Sequence, residues 1–225
     1  VRVRIHRGAH QIGGNCVEVE AQGARIVLDV GKPLDAAWGE HVALPDVPGL
    51  KNGDDPNLVG LLVSHGHQDH WGLIDQVSQT VPVYIGEATA NMLREAVFFS
   101  AGVHLHPAGH LKHTEPFELG PFRITPFLND HNGFDAYSLL IEAGGKRLFY
   151  SGDFQGHGRK SDIFEELLRK PPTGVDVMLM EGTNVQGGGP WEQELSEVDA
   201  ELAFVDHFTK AQGMVLVIYS SQNMD

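Results

Sequence analysis

The segment that most restricts this chain is Val63-Ser64-His65-Gly66-His67-Gln68-Asp69-His70-Trp71-Gly72. Four potential metal ligands stand within six residues, directly after the nearly continuous apolar stretch Leu58–Ser64. That stretch reads as a buried strand. His65 and His67 are two apart, so on an extended strand end they point the same way and can bind one metal. Asp69 and His70 continue into a helix start and face a second position. Neutral imidazole and carboxylate suit zinc and related divalent ions.

The rest of the composition sets bounds around that segment. A chain of 225 residues, 41% hydrophobic and 20% charged, is long enough for a packed core and is not disordered. No apolar run approaches the roughly 18 residues of a membrane span, so no membrane partner is expected. The single cysteine, Cys16, excludes an intramolecular disulfide framework and a cysteine-cluster zinc finger, and it suits a cytoplasmic location. Lys+Arg total 16 against 30 Asp+Glu, a net charge of −14, which argues against a uniformly nucleic-acid-binding surface. A local cationic site stays open, because bound metal ions add positive charge that the formal count omits. The 13 histidines point that way.

Along the chain, strands come first and then alternate with helices. Residues 1–30 read as a β-meander around a glycine-rich turn, and residues 32–57 as a long loop. Further strands are expected at Val81–Ile85, Phe122–Phe127, Val175–Met180 (buried) and Met214–Tyr219. Ala136–Glu142 and Arg147–Tyr150 pair through the Gly144-Gly145 turn. Helices are expected at Trp71–Ser78, Glu87–Ser100, Ile163–Leu168 (capped by Ser161 or Asp162) and Glu197–Lys210 (capped by Ser196). Gly187–Pro190 reads as a flexible break. This order predicts two sheets packed on each other with helices outside.

Two more ligand types stand at strand ends: His131 after Phe127-Leu128-Asn129-Asp130, and Asp153 in Tyr150-Ser151-Gly152-Asp153. Taken with the 65–70 run, in this order, the chain resembles the metallo-β-lactamase superfamily. The resemblance covers the chain from about Val1 to Asn184. It implies an α/β fold, the αββα sandwich of two packed mixed β-sheets flanked by helices, with a two-metal site at the strand ends. Carried over by position, His65, His67 and His131 hold metal one, Asp69 and His70 hold metal two, and Asp153 bridges. Asp69 and Asp153 are then the catalytic carboxylates. The superfamily usually supplies one further histidine near its C-terminus. His157 and His207 are the candidates after Asp153, and neither fits: His157 reads as facing solvent or substrate, and His207 as structural.

Three features resemble the β-CASP branch, the group of ribonuclease J and the RNA cleavage factors. Met178–Asn184 is similar to that branch's acidic motif, with Glu181 as a residue supporting the metal ligands. The helix from Ser196 followed by Gly213–Ser221 is similar to the entry into the inserted domain. Gly8–Asn15 is similar to its first glycine loop. On this reading residues 1–194 are the N-terminal portion of the metallo-β-lactamase domain. Residues 195–225 enter an inserted β-CASP-like domain otherwise absent, and the sandwich is truncated before its C-terminal strands. The expected function is a dinuclear metal-dependent hydrolase, with two Zn2+ ions or else Mn2+, cleaving RNA phosphodiester bonds with a metal-bound hydroxide. The alternatives are a small-molecule hydrolase of thioesters, lactones or β-lactams, and a non-catalytic partner subunit. Arg159-Lys160 and Arg169-Lys170 are the paired basic residues after the metal motifs, and the solvated reading is preferred for both. His104, His106, His110 and His113 read as exposed loop histidines rather than a third metal site. A homo-oligomer is compatible with the sequence.

Overall fold

The computed structural model describes residues 1–37, 39–98, 105–183 and 196–218. The fold is α/β: two packed mixed sheets flanked by helices, as the strand-then-alternating pattern predicts. The first sheet has the order β1 (Arg2–Arg7), β2 (Cys16–Ala21), β3 (Ala24–Leu28), β4 (Leu58–Leu62), β5 (Val83–Gly86) and β6 (Gly109–Leu111). β1 to β3 pair antiparallel, and β3 to β6 pair parallel. The second sheet contains β7 (Phe117–Leu119), β8 (Phe122–Leu128), β9 (Tyr137–Ala143), β10 (Lys146–Tyr150) and β11 (Val177–Leu179), in the order β11-β10-β9-β8-β7. Its pairs are antiparallel except β10 with β11.

Strand alternation explains how the layers form. Val17, Val19, Ile26, Leu28 and Leu62 from the first sheet meet Phe122, Ile124, Leu139, Ile141 and Leu148 from the second. The intervening residues Val27, Leu61 and Val63 point the other way, into a second cluster with Ile85, Ala90 and Leu93. The first sheet is therefore apolar on both faces, which is why β4 reads as a nearly unbroken apolar run. Ala90 and Leu93 belong to α2 (Glu87–Ala96), which covers that outer face.

The outer face of the β1–β3 hairpins also holds a buried charge cluster. Glu18 Oε1 accepts from Arg25 Nη1 at 2.8 Å, Glu18 Oε2 contacts His6 Nε2 at 2.8 Å, and Arg25 Nη2 reaches Asp55 at 2.7 Å. Burial alone would raise the Glu18 carboxyl, but the hydrogen bonds from Arg25 and His6 outweigh it and hold it below the ordinary value. Glu18 therefore contributes stability in full above its unfolded pKa of about 4.3, and loses it as pH falls through the lower folded value. Glu18→Gln is expected to cost about 2 kcal/mol at pH 7, as for hydrogen bonds to a charged group. Thermal unfolding from pH 7 to 3 should show the two proteins converging at the acid end, and a constant offset would contradict this.

Four sequence expectations need correction. Trp71–Ser78 is not one helix: α1 is the short Gln68–Trp71, followed by a 3-10 turn over Ile74–Gln76. Its apolar residues mimic helical spacing, but Ile74 and Val77 are drawn under the first sheet. Helix α3 spans Ser161–Arg169, so Ser161 lies inside it; the cap position is Lys160, with no side-chain cap bond. The strand at Val175–Met180 shortens to β11 and is an exposed edge, with Met178 55% exposed. Residues 214–218 form no strand; they are exposed (Ile218 100%) and have no ladder partner among the described residues. An apolar β-prone sequence becomes a strand only where a neighbour supplies hydrogen bonds.

Helix α4 (Glu197–Lys210) is capped as expected: Ser196 and Asp199 exchange bonds in a capping box. His207 is exposed on it, not packed. No helix among the described residues is long and apolar enough to cross a membrane. Asn184, the end of the acidic motif, lies outside the described residues, as do Gly187–Pro190, His104, Tyr219 and the 220–225 segment.

Candidate metal centre

The site lies where β4, β8 and β10 run out into loops. Each loop is fastened to its neighbours by backbone bonds. Asn15 N donates to Asp69 O at 3.1 Å, Val30 N to His70 O at 2.8 Å and Lys32 N to Gln68 O at 2.9 Å. The ligand run is thus clamped between the start of β2 and the end of β3. Two glycines permit this closeness. A Cβ on Gly31 would overlap the Asp69 carbonyl, and one on Gly13 would come within 2.6 Å of Asp69 Cβ.

Two groups of ligand atoms converge, each within 4.8 Å: His65, His67 and His131; and His65, His70 and Asp153. In the first, His67 Nδ1 lies 3.0 Å from His65 Nε2 and 3.1 Å from His131 Nε2. Two nitrogens bound to one tetrahedral zinc at about 2.05 Å stand about 3.3 Å apart, so the trio is close to the spacing of a metal site. In the second, Asp153 Oδ1 is 3.2 Å from His70 Nε2, and its Oδ2 is 3.9 Å from His65 Nε2. Asp153 thus turns one oxygen toward His70 and the other toward His65, the imidazole that the two groups share. Asp69 Oδ2 stands 3.6 Å from His70 Nε2. Of the six residues singled out from the sequence, five belong to these two groups, and Asp69 stands beside the second through His70. Among the described residues, His157 and His207 belong to neither group.

The electrostatics suit a divalent cation. Burial, reinforced by the neighbouring imidazoles, pushes His65 well below its ordinary pKa. Burial also lowers His67, and brings His131 down to about 4. These rings are therefore neutral and keep lone pairs for a metal. Burial raises Asp69. For Asp153 burial acts upward, but His70 and the other imidazoles outweigh it and lower its carboxyl.

Apart from Glu181, sequence reasoning missed the residues that orient these ligands. The chief one is Asp29, fully buried at the end of β3. Its Oδ1 accepts from Ser64 N at 2.7 Å. Its Oδ2 accepts from Ser64 Oγ at 2.9 Å, His70 Nδ1 at 2.8 Å and Tyr150 Oη at 2.6 Å. His70 Nδ1 therefore carries the proton, and Nε2 is turned toward Asp69 and Asp153. Burial disfavours a charged His70, but Asp29 and Asp153 outweigh it and hold its pKa well above normal. Ser64 gives its one hydroxyl proton to Asp29, so His65 Nδ1 donates to Ser64 Oγ at 3.1 Å, leaving His65 Nε2 as the acceptor. One sequence signal was available: the apolar run Ala24–Val30 is interrupted by a lone carboxylate.

The Asp153 loop is braced similarly. Asn129 Nδ2 donates to Ser151 O at 2.8 Å and Asp153 O at 3.0 Å. Glu181 Oε1 accepts from Phe154 N at 2.7 Å, and Glu181 N donates to Ser151 Oγ at 3.0 Å. Glu181 thus grips both sides of Asp153, and burial raises its pKa. Asp130 accepts from Gly158 N at 2.8 Å and Lys160 N at 2.9 Å, tying the His131 loop to the same segment. The basic pairs are engaged: Arg159 with Glu201, Lys160 Nζ with His131 O at 3.0 Å, and Lys170 with Glu166 at 3.5 Å. His106, His110 and His113 are exposed, as expected, but His110 lies in β6 and not in a loop, because that segment pairs with β5.

Comparison with known proteins gives the family. Residues 33–201 match the family model described as "Beta-lactamase superfamily domain". Ribonuclease J of Mycobacterium tuberculosis is 27% identical over 241 residues, covering 100% of this chain and 41% of that protein. Ribonuclease J of Synechocystis is 29% identical, covering 93% of this chain and 34% of that protein. Cleavage and polyadenylation specificity factor subunit 3 of Dictyostelium discoideum is 24% identical over 77% of this chain and 24% of that protein. The chain thus spans about two fifths or less of the length of these curated relatives. A solved structure of a protein of unknown function from Enterococcus faecalis superposes with a TM-score of 0.76 at 20% identity, over 92% of this chain and 57% of that one. That likeness concerns the fold alone.

Proposed function

The chain belongs to the β-lactamase superfamily, and on that premise we propose that it is the metal-bearing part of a dinuclear hydrolase cleaving RNA phosphodiester bonds. The observation that carries this reading is the pair of convergent ligand groups, joined through His65, with Asp153 in the second of them. The likeness to ribonuclease J along the whole chain supports RNA as the substrate. His65, His67 and His131 would hold one ion, Asp69 and His70 the other, and Asp153 would stand between them. Two divalent ions, zinc or else manganese, would supply Lewis acidity toward a phosphoryl oxygen and lower the pKa of water to about 7.

The chain's own residues do the positioning. Asp69 Oδ2 lies beside the second group, where it can orient a water and take its proton. Asp29, Ser64, Asn129 and Glu181 hold the ligand atoms in place, so little reorganisation accompanies reaction. Residues 1–194 would be the metal-bearing domain and 195–225 the entry into an inserted domain, with the protein acting in the cytoplasm.

The test is an assay of the whole protein on 5′-monophosphorylated single-stranded RNA, bis(p-nitrophenyl) phosphate and a β-lactam, each with and without chelator. RNA cleavage that chelator abolishes and zinc or manganese restores is the expected result. Turnover of the β-lactam alone would replace the RNA reading with a small-molecule one. No turnover of any substrate would favour a non-catalytic subunit.

A further inference from the structure

The loop that follows His131 presents an aromatic ring to solvent beside the metal centre. Phe134 is 44% exposed. A single exposed apolar side chain is ordinary on a protein surface. This one differs in how firmly it is held out. Gly133, immediately before it, lies against the rings of His65 and His131, where an added Cβ would come within 3.2 and 3.4 Å of their Cδ2 atoms. Asp135, immediately after it, accepts from Ala88 N at 2.9 Å and Thr89 N at 3.0 Å, and from the Thr89 hydroxyl. Asp130 anchors the loop's start to Gly158 and Lys160. With both flanks tied down, the loop carries the ring at the surface, where it forgoes about 2 kcal/mol of burial.

Phe134 also lines a cavity of about 690 Å³, within the roughly 300–1,000 Å³ of small-molecule sites. Lys112, His113 and Lys160 line it too, with Glu87 and Asp135 as its acidic members. Asp135 is spent on the start of α2, as above. The Lys160 ammonium lies 5.7 Å from the Phe134 centroid while bonding to the His131 carbonyl at 3.0 Å. A cation is thus fixed between the aromatic ring and the metal-site loop, and a second, Lys112, lines the same cavity while standing 3.9 Å from Glu115. An exposed π-face beside fixed positive charge is the combination that binds a single-stranded nucleotide: the base stacks and the backbone phosphate meets the cations.

We propose that Phe134 is a base-stacking residue, and that this cavity seats one nucleotide of the RNA strand next to the phosphate being cleaved. Phe134 is a positioning residue in this role, and the inference rests on the RNA reading above. Stacking of one base on an aromatic side chain is worth roughly 1–3 kcal/mol, or about 5- to 150-fold.

In the whole protein, Phe134→Ala is expected to raise KM for a single-stranded oligoribonucleotide about tenfold, with a smaller change in kcat, and Phe134→Trp is expected to restore KM. The discriminating measurement pairs this variant with oligonucleotides carrying one abasic position each. At one position near the cleavage site, removing the base should cost the parent as much as Phe134→Ala does, and should cost the variant nothing further. Additive losses at every position, or an unchanged KM, would overturn the inference. Phe134→Trp supplies a readout independent of cleavage: its added fluorescence should be quenched by the oligoribonucleotide. Quenching without cleavage by the parent would leave the nucleotide seat standing and remove the hydrolase reading. Cleavage without quenching or KM change would do the reverse.

Discussion

Replacing His67 with alanine is expected to reduce metal-dependent hydrolysis by the whole protein at least about a thousandfold. His67 Nδ1 is the middle atom of its trio, 3.0 Å from His65 Nε2 and 3.1 Å from His131 Nε2. Without it two imidazoles remain, and a catalytic zinc site ordinarily needs three protein ligands. The loss should be in the site and not in the fold. His67 is half-buried and belongs to neither apolar cluster, so truncation leaves no cavity in the core. Metal content by mass spectrometry should fall by about one ion per chain, with a thermal midpoint close to that of the parent measured without metal. Full activity at undiminished metal content would remove His67 from the site.

Asp29→Asn is the second large effect, and it acts at a distance from the metal. Asparagine keeps the shape and tolerates the backbone, whose φ at Asp29 is +60°. What changes is chemistry. The carboxylate accepts four hydrogen bonds in a fully buried position, from Ser64 N, Ser64 Oγ, His70 Nδ1 and Tyr150 Oη. An amide sets an NH2 against at least one of those donors and withdraws the charge that His70 faces. Breaking one partner of a buried charged network costs about 3–5 kcal/mol, which denaturant unfolding would read. Loss of the orienting carboxylate should also weaken metal binding about 10- to 100-fold. Competition with a chelator would measure this in the folded fraction. Parent-like stability and affinity would show that His70 is oriented by something other than Asp29.

These two residues differ in how visible they are in the sequence. His67 stands in a run whose spacing has few other uses, and it meets His65 even though both lie past the end of β4. His131 and Asp153 were found because each closes an apolar strand, and Glu181 through its motif. The Ser196 cap was legible because a capping box is a local pattern. The same local logic failed at 71–78 and 214–218. There, apolar spacing is compatible with a helix or a strand, and the choice depends on what the segment packs against. Phe134 gave no sequence signal, since nothing local distinguishes a phenylalanine held out by its neighbours from one folded in.

The sequence by itself determined the layered α/β architecture and placed His65, His67, His131 and Asp153 after apolar strands, where the structure brings them together. Only the tertiary structure decided which buried carboxylate faces His70, 41 residues from Asp29, and how His131 meets His67 across 64 residues. Periodicity and motif spacing record interactions within one element. A buried carboxylate takes its partners from whatever donors close packing brings to it, and those donors lie on other elements: the loop after β4, α1 and β10.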